Sequence, residues 1–138
     1  EVVGRGRLPS LKDRACLPYT ECVILEILRR SSVVPLGTTH ACTRNVELGG
    51  FKIPAGTQIV PFLHAVHMDP KLWENPEDFC PERFLKEDGS VHKPDFFMPF
   101  GVGRRMCLGE VLARMELFLF FSSLMHCFNL QVPAGETL

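Results

Sequence analysis

The sequence has no basic tract: its arginines are scattered except at Arg29-Arg30 and Arg104-Arg105, and the formal net charge is −1. That balance excludes a protein that works mainly by neutralising nucleic-acid phosphates. No C-x-x-C pair occurs among the six cysteines, at 16, 22, 42, 80, 107 and 127, so neither a zinc ribbon nor a C-x-x-C-H cofactor attachment is written here. An even cysteine count is weak support for disulfides, and because several of these residues lie in apolar helical runs, reduced thiols in a reducing compartment are expected. There is also no starting methionine, no signal peptide and no apolar run long enough to span a bilayer. The chain reads as a fragment.

What is present is an ordinary globular balance, 46% hydrophobic and 22% charged over 138 residues, which suits one domain with a core of its own. Glu1 to Arg14 is polar, broken by Gly4, Gly6 and Pro9, and reads as a loop entering a short turn around Ser10 to Asp13. From Pro18 to about Ser31 the spacing predicts a buried helix, apolar on nearly every side. Glu26 is the only charge between Cys22 and Leu28, so burial requires a cationic partner, and Arg29 shares its face three residues on.

His40 to Leu63 alternates short β-like runs with turns at Gly49-Gly50 and Pro54-Ala55-Gly56, the pattern of a small antiparallel hairpin sheet. His64 and His67 could face one way on a short helix, but with no third ligand nearby a structural turn into Asp69-Pro70 is the better reading than zinc. The stretch Trp73 to Phe84 is proline-punctuated and packed down through Trp73, Phe79 and Phe84; Lys86 to Pro94 is an exposed loop. A final helix is expected from about Leu108 to Phe128, with Glu110 and Arg114 spaced i, i+4 and an aromatic band over Phe118 to Phe121.

Chemistry concentrates in Phe100-Gly101-Val102-Gly103-Arg104-Arg105-Met106-Cys107-Leu108-Gly109. Glycines at 101, 103 and 109 let the backbone bend tightly and approach a flat partner. A cysteine just ahead of a helix, with a fixed cation two residues away, is placed where thiolate is favoured over thiol, and thiolate is the form that binds metal. A dinucleotide loop fails because Met106 stands where G-x-G-x-x-G needs its third glycine. A cysteine that merely packs is the blander alternative.

Phe100, Gly103, Arg105, Cys107 and Gly109 match position for position the F-x-x-G-x-R-x-C-x-G signature of the haem-thiolate monooxygenases, and the chain resembles the cytochrome P-450 superfamily throughout its length. Glu26-x-x-Arg29 resembles that family's E-x-x-R element, and Trp73 to Phe84, with Pro81-Glu82-Arg83-Phe84 at its end, resembles the family's meander and P-E-R-F element. Asp13 to Tyr19, Met98 to Gly101 and Leu112 to Phe118 look like the animal microsomal group, and Phe121 to Phe128 is most similar to insect ecdysteroid hydroxylases.

The resemblance implies a mainly α fold with a small antiparallel β-sheet, with residues 1–138 forming the C-terminal, haem-proximal part of a larger catalytic domain. It implies haem b (iron protoporphyrin IX) with Cys107 as axial ligand, Arg105 and His40 at the propionates, and Phe100, Gly103 and Gly109 shaping the loop. Glu26, Arg29 and Arg83 would form one buried network, and Val34, Leu36, Gly37 and Thr38 would border the substrate pocket. The implied reaction is insertion of one oxygen atom from O₂ into a lipophilic small molecule such as a steroid. An NADPH-dependent reductase would supply electrons. The implied location is the cytoplasmic face of the endoplasmic reticulum membrane, reached through a segment outside this chain, and residues 1–138 alone would be inactive. A haem-thiolate isomerase needing no reductase, and a non-catalytic fragment, are the rival readings.

Overall fold

Pro18 begins helix α1, Pro18–Ser31, where its missing N–H is not needed by the first turn. This is a computed structural model, and it describes residues 2–136. The helix ends where Ser32 takes a left-handed φ of 36° and its hydroxyl donates to Arg29 O at 3.0 Å, giving one terminal carbonyl the partner that the next turn would have supplied. Both ends therefore fall where the spacing predicts.

Two compact units can be described. Among the described residues the first is drawn from residues 2–26, 80–92 and 108–136, and the second from residues 27–79 and 93–107. In the first unit, a 3-10 turn, Leu11–Cys16, is opened by the Ser10 main-chain N–H donating to Asp13 Oδ2 at 2.8 Å. The Arg7 guanidinium, 2.7 Å from that carboxylate, holds its pKa well below the usual range, with help from Ser10. Arg14 pairs with Glu21 through Nε at 2.8 Å and lies 5.9 Å above the Phe118 ring. Cys22, Leu25, Phe84 and Phe118 are fully or almost fully buried and form the core here.

The last helix, α3, runs Glu110–Cys127, two residues shorter at its start than its apolar pattern suggests, because Gly109 occupies the cap position. Its apolar surface exceeds what the described residues cover. Phe118 and Ser122 are buried, while Val111, Leu112, Phe120 and Leu124 remain more than half exposed. The helix is apolar all round, so no single neighbouring face could bury it.

The second unit carries the strands, in two separate antiparallel pairs rather than one hairpin sheet. β1, His40–Ala41, pairs with β4, Gln58–Ile59, with His40 opposite Ile59. Between them β2, Val46–Leu48, pairs with β3, Phe51–Ile53, through a Gly49-Gly50 turn whose φ values of 56° and 82° suit residues without Cβ. At the base of the inner hairpin Asn45 Oδ1 accepts from Ala55 N at 2.8 Å. A short helix, α2, Leu63–His67, follows. Its side chains Leu63 and His67 are buried, as are Leu28, Trp73 and Phe97 of the same unit.

Gly37 sits in this unit at φ +57°, and a Cβ there would lie 2.7 Å from Pro61 Cγ. Its segment is pinned on both sides: Gly37 N donates to Val34 O at 3.0 Å, and His64 N to Pro35 O at 3.1 Å. Gly37→Ala should therefore destabilise the protein by about 1–3 kcal/mol, from left-handed strain plus the ring clash. Denaturant midpoints of the two proteins measure it, and an unchanged midpoint would show that this close approach is relaxed in solution.

Candidate functional site

Residues 100–107 of the glycine loop belong to the second unit. Met98 O accepts from Gly101 N at 3.0 Å, closing a turn that Gly101 completes with φ +77°. Gly103 follows at φ +72° and opens a 3-10 turn, Gly103–Arg105, after which Cys107 N donates to Phe100 O at 2.9 Å. That last bond ties the two ends of the loop together and fixes the cysteine's main chain over Phe100. The Cys107 thiol is free and exposed. Val102 is 62% and Met106 48% exposed. Arg104 and Arg105 are exposed as well, and no ion pair joins either to another described residue.

This set of groups fits the cofactor that the resemblance implies. Exposed apolar side chains suit a flat apolar group, a free and exposed thiol suits an iron ligand, and a guanidinium outside any ion pair with a described residue suits a carboxylate. Among the described residues no group of three or more His, Cys, Asp or Glu could hold a bare metal ion. A single thiolate is, however, all that a macrocycle-bound iron requires of its protein on one face.

Of the other expected residues, His40 opens β1 and its Nε2 lies 3.5 Å from the Thr38 hydroxyl. Val34, Leu36 and Thr38 are exposed and Gly37 half-buried. Gly109 lies in the first unit, as the residue capping α3.

Glu26 and Arg83 meet in the first unit. Glu26 is completely shut off from water, and its Oε1 accepts from Arg83 Nε at 3.2 Å and from the main-chain N–H of Cys80 at 2.9 Å. Arg83 stands on a 3-10 turn, Pro81–Phe84, that Pro81 starts and the buried Phe84 holds down. Nearby, Glu82 accepts from the Tyr19 hydroxyl at 2.9 Å, clasping the same turn to the start of α1.

Arg29, also fully buried, spends donors on main-chain carbonyls of the second unit, Nη1 on His67 O at 2.8 Å and Nη2 on Asp78 O at 3.2 Å. Its guanidinium lies 5.3 Å from the centre of the Trp73 ring. Trp73 in turn donates from Nε1 to Val66 O at 3.0 Å and meets Phe96 edge-on at 4.9 Å.

One residue here was read only as part of a turn. His67 is fully buried, and its Nε2 accepts from Met98 N at 3.1 Å. Nε2 must then be the unprotonated nitrogen, so Nδ1 carries the proton and faces the Ser32 hydroxyl at 3.3 Å, while that hydroxyl donates onward to Arg29 O. Burial, and next the nearby Arg29 charge, push the His67 pKa down to about 4. The available signal was a histidine on a short helix flanked by Leu63 and Val66 and close to the chain's single tryptophan.

The family described as Cytochrome P450 matches residues 1–138. The chain belongs to that family. It is 62% identical over its whole length to "Cytochrome P450 18a1" of Drosophila melanogaster, covering 26% of that protein. It is 51% identical over 135 residues to "Cytochrome P450 2U1" of Rattus norvegicus, with 98% of this chain and 26% of the relative aligned. To "Cytochrome P450 2D6" of Homo sapiens it is 49% identical over 136 residues, 99% of this chain and 27% of the relative. The chain thus spans about a quarter of the length of the curated relatives it matches. The family implies haem held by a cysteine thiolate, and the mainly helical fold with a little antiparallel strand is the one expected of part of such a protein.

Two outcomes are expected. Glu26→Ala leaves Arg83 facing an empty position and should cost about 3–5 kcal/mol, read as a lower denaturant midpoint and less folded holoprotein; normal stability with altered substrate preference would instead place Glu26 in a pocket. His67 has a folded pKa of about 4, below its ordinary 6.5. Between those values the unfolded chain takes up a proton that the folded one refuses, so this residue's share of stability is intact above pH 6.5 and falls as pH drops towards 4, by about 3 kcal/mol in all. Comparing the pH dependence of unfolding with that of His67→Gln isolates it: equal slopes in that window would refute the buried neutral histidine.

Proposed function

We propose that this chain is the haem-proximal part of a haem-thiolate monooxygenase, and that Cys107 is the axial ligand of the iron. The observation that carries the reading is the loop itself: a free, exposed thiol whose main chain is clamped to Phe100 O, in a loop whose Val102 and Met106 are exposed, and followed two residues later by the residue capping α3. Gly101 and Gly103 hold left-handed φ values there, which keeps the backbone compact beneath a flat group.

In this reading Cys107 binds as thiolate, the form in which cysteine ligates metal. Arg105 offers a planar fork to a propionate, a geometry that lysine cannot supply. His40 contributes a second polar group at the propionates, Phe100 and Gly103 shape the loop, and Gly109 allows the turn into α3. When bound, haem with a thiolate ligand supplies activation of O₂ for insertion of one oxygen atom, because the sulfur pushes electron density onto iron and favours O–O cleavage. Glu26, Arg29 and Arg83 keep the surrounding chain folded without touching substrate. Val34, Leu36, Gly37 and Thr38 border the substrate, a lipophilic small molecule of the steroid kind. Electrons come from an NADPH-dependent reductase, and the whole protein works at the endoplasmic reticulum membrane.

The test is replacement of Cys107 by Ala and by His in the holoprotein, with spectra of the reduced, carbon monoxide-bound form. The native protein should show the red-shifted Soret band of thiolate ligation and both variants should lack it. Persistence of the band in either variant means that another residue holds the iron.

A further inference from the structure

We propose that His67 is a positioning residue for the cysteine loop, fixing where the loop starts by accepting the main-chain N–H of Met98. The functional consequence rests on Cys107 being the iron ligand; the anchor itself does not.

Met98 is the point at which a fixed position is passed into the loop. Just before it, Phe97 N is used locally, on Pro94 O at 2.9 Å. Just after it comes Pro99, which has no N–H and confines Met98 to extended backbone. Met98 N–H is therefore the last main-chain donor ahead of Phe100, and it leaves the segment to reach His67 Nε2 at 3.1 Å. From there the path to the cysteine is short and stiff. Met98 O accepts from Gly101 N at 3.0 Å, and Phe100 O accepts from Cys107 N at 2.9 Å. A shift of Met98 moves both carbonyls on which the loop closes.

His67 is itself held from several sides. Nδ1 faces Ser32 Oγ at 3.3 Å, the Phe97 ring lies 5.7 Å from the imidazole at a 34° tilt, and Trp73 meets it edge-on at 6.4 Å. Its carbonyl is held by Arg29 Nη1 at 2.8 Å. The imidazole works here because one ring presents an acceptor and a donor on opposite sides, and burial keeps it neutral so that Nε2 stays an acceptor. An apolar side chain of similar size would fill the space and leave the Met98 N–H unsatisfied. The end of α1, the short helix α2 and the cysteine loop are thereby joined through one ring.

The experiment compares His67→Gln with His67→Asn in the holoprotein. Both substitute an amide, but glutamine carries its oxygen out to the position of Nε2 and asparagine falls one methylene short. Two readings are taken: hydrogen exchange at the Met98 amide, and the fraction of the reduced, carbon monoxide-bound form that shows the thiolate Soret band. His67→Gln should stay close to the native protein in both. His67→Asn should raise Met98 exchange roughly 10-fold, as expected for loss of one buried acceptor, and shift part of the Soret band to the position seen without thiolate. If the two variants behave alike in either reading, folded or not, His67 does not position the loop through Met98. The Cys107→Ala spectrum serves as the control that separates the two ideas. Were the native protein to lack the thiolate band, the reading of Cys107 would fall while Met98 exchange still decided the anchor.

Discussion

Glu26 and Arg29, three residues apart on α1, are both completely removed from water, and the rest of the chain is arranged to make that tolerable. A buried charge without partners costs several kcal/mol, so each must recruit groups from distant sequence. Glu26 draws in the segment after the proline-rich stretch, taking the Cys80 N–H and the Arg83 Nε on a single carboxylate oxygen. Arg29 takes the carbonyls of His67 and Asp78 and the face of Trp73. These contacts span 38 to 57 residues of sequence, which is why a segment with almost no regular structure between Asp69 and Phe84 can still be fixed.

The same constraint reaches the cysteine loop. Arg29 holds the carbonyl of His67, Ser32 at the end of α1 holds its ring, and the ring accepts Met98 N–H at the start of the loop. Loops alone hold position poorly; they borrow rigidity from packed side chains with satisfied hydrogen bonds. Here the borrowed rigidity comes from a helix end and one buried imidazole.

Much of this was legible before any coordinates. The α1 boundaries, the burial of Glu26 with a need for a cation, the turns at Gly49-Gly50, and the glycine loop presenting Cys107 all follow from residue types and spacing. The two ends of α3 were placed within two residues, the error lying at Gly109, where a residue read as helical serves as the cap. Harder to read was the strand region, since the runs between His40 and Ile59 mark turns clearly but not which strand pairs with which. The burial of His67 and its hydrogen-bond partners were not legible. A histidine between apolar residues looks alike in sequence whether it is exposed, metal-bound or buried, and only its surroundings decide.

The sequence by itself determined the kind of protein, because the cysteine, the arginine two residues before it and the glycines around them, which carry the family resemblance, lie within ten consecutive positions. It also determined that α1 would be buried with a charge inside. Tertiary structure decided which groups answer that charge, the tautomer of His67, and which donor it takes from the loop. Those depend on atoms brought within about 3 Å across tens of residues of chain, and hydrogen-bond partnership at that range is set by packing geometry, which no local pattern of residues encodes.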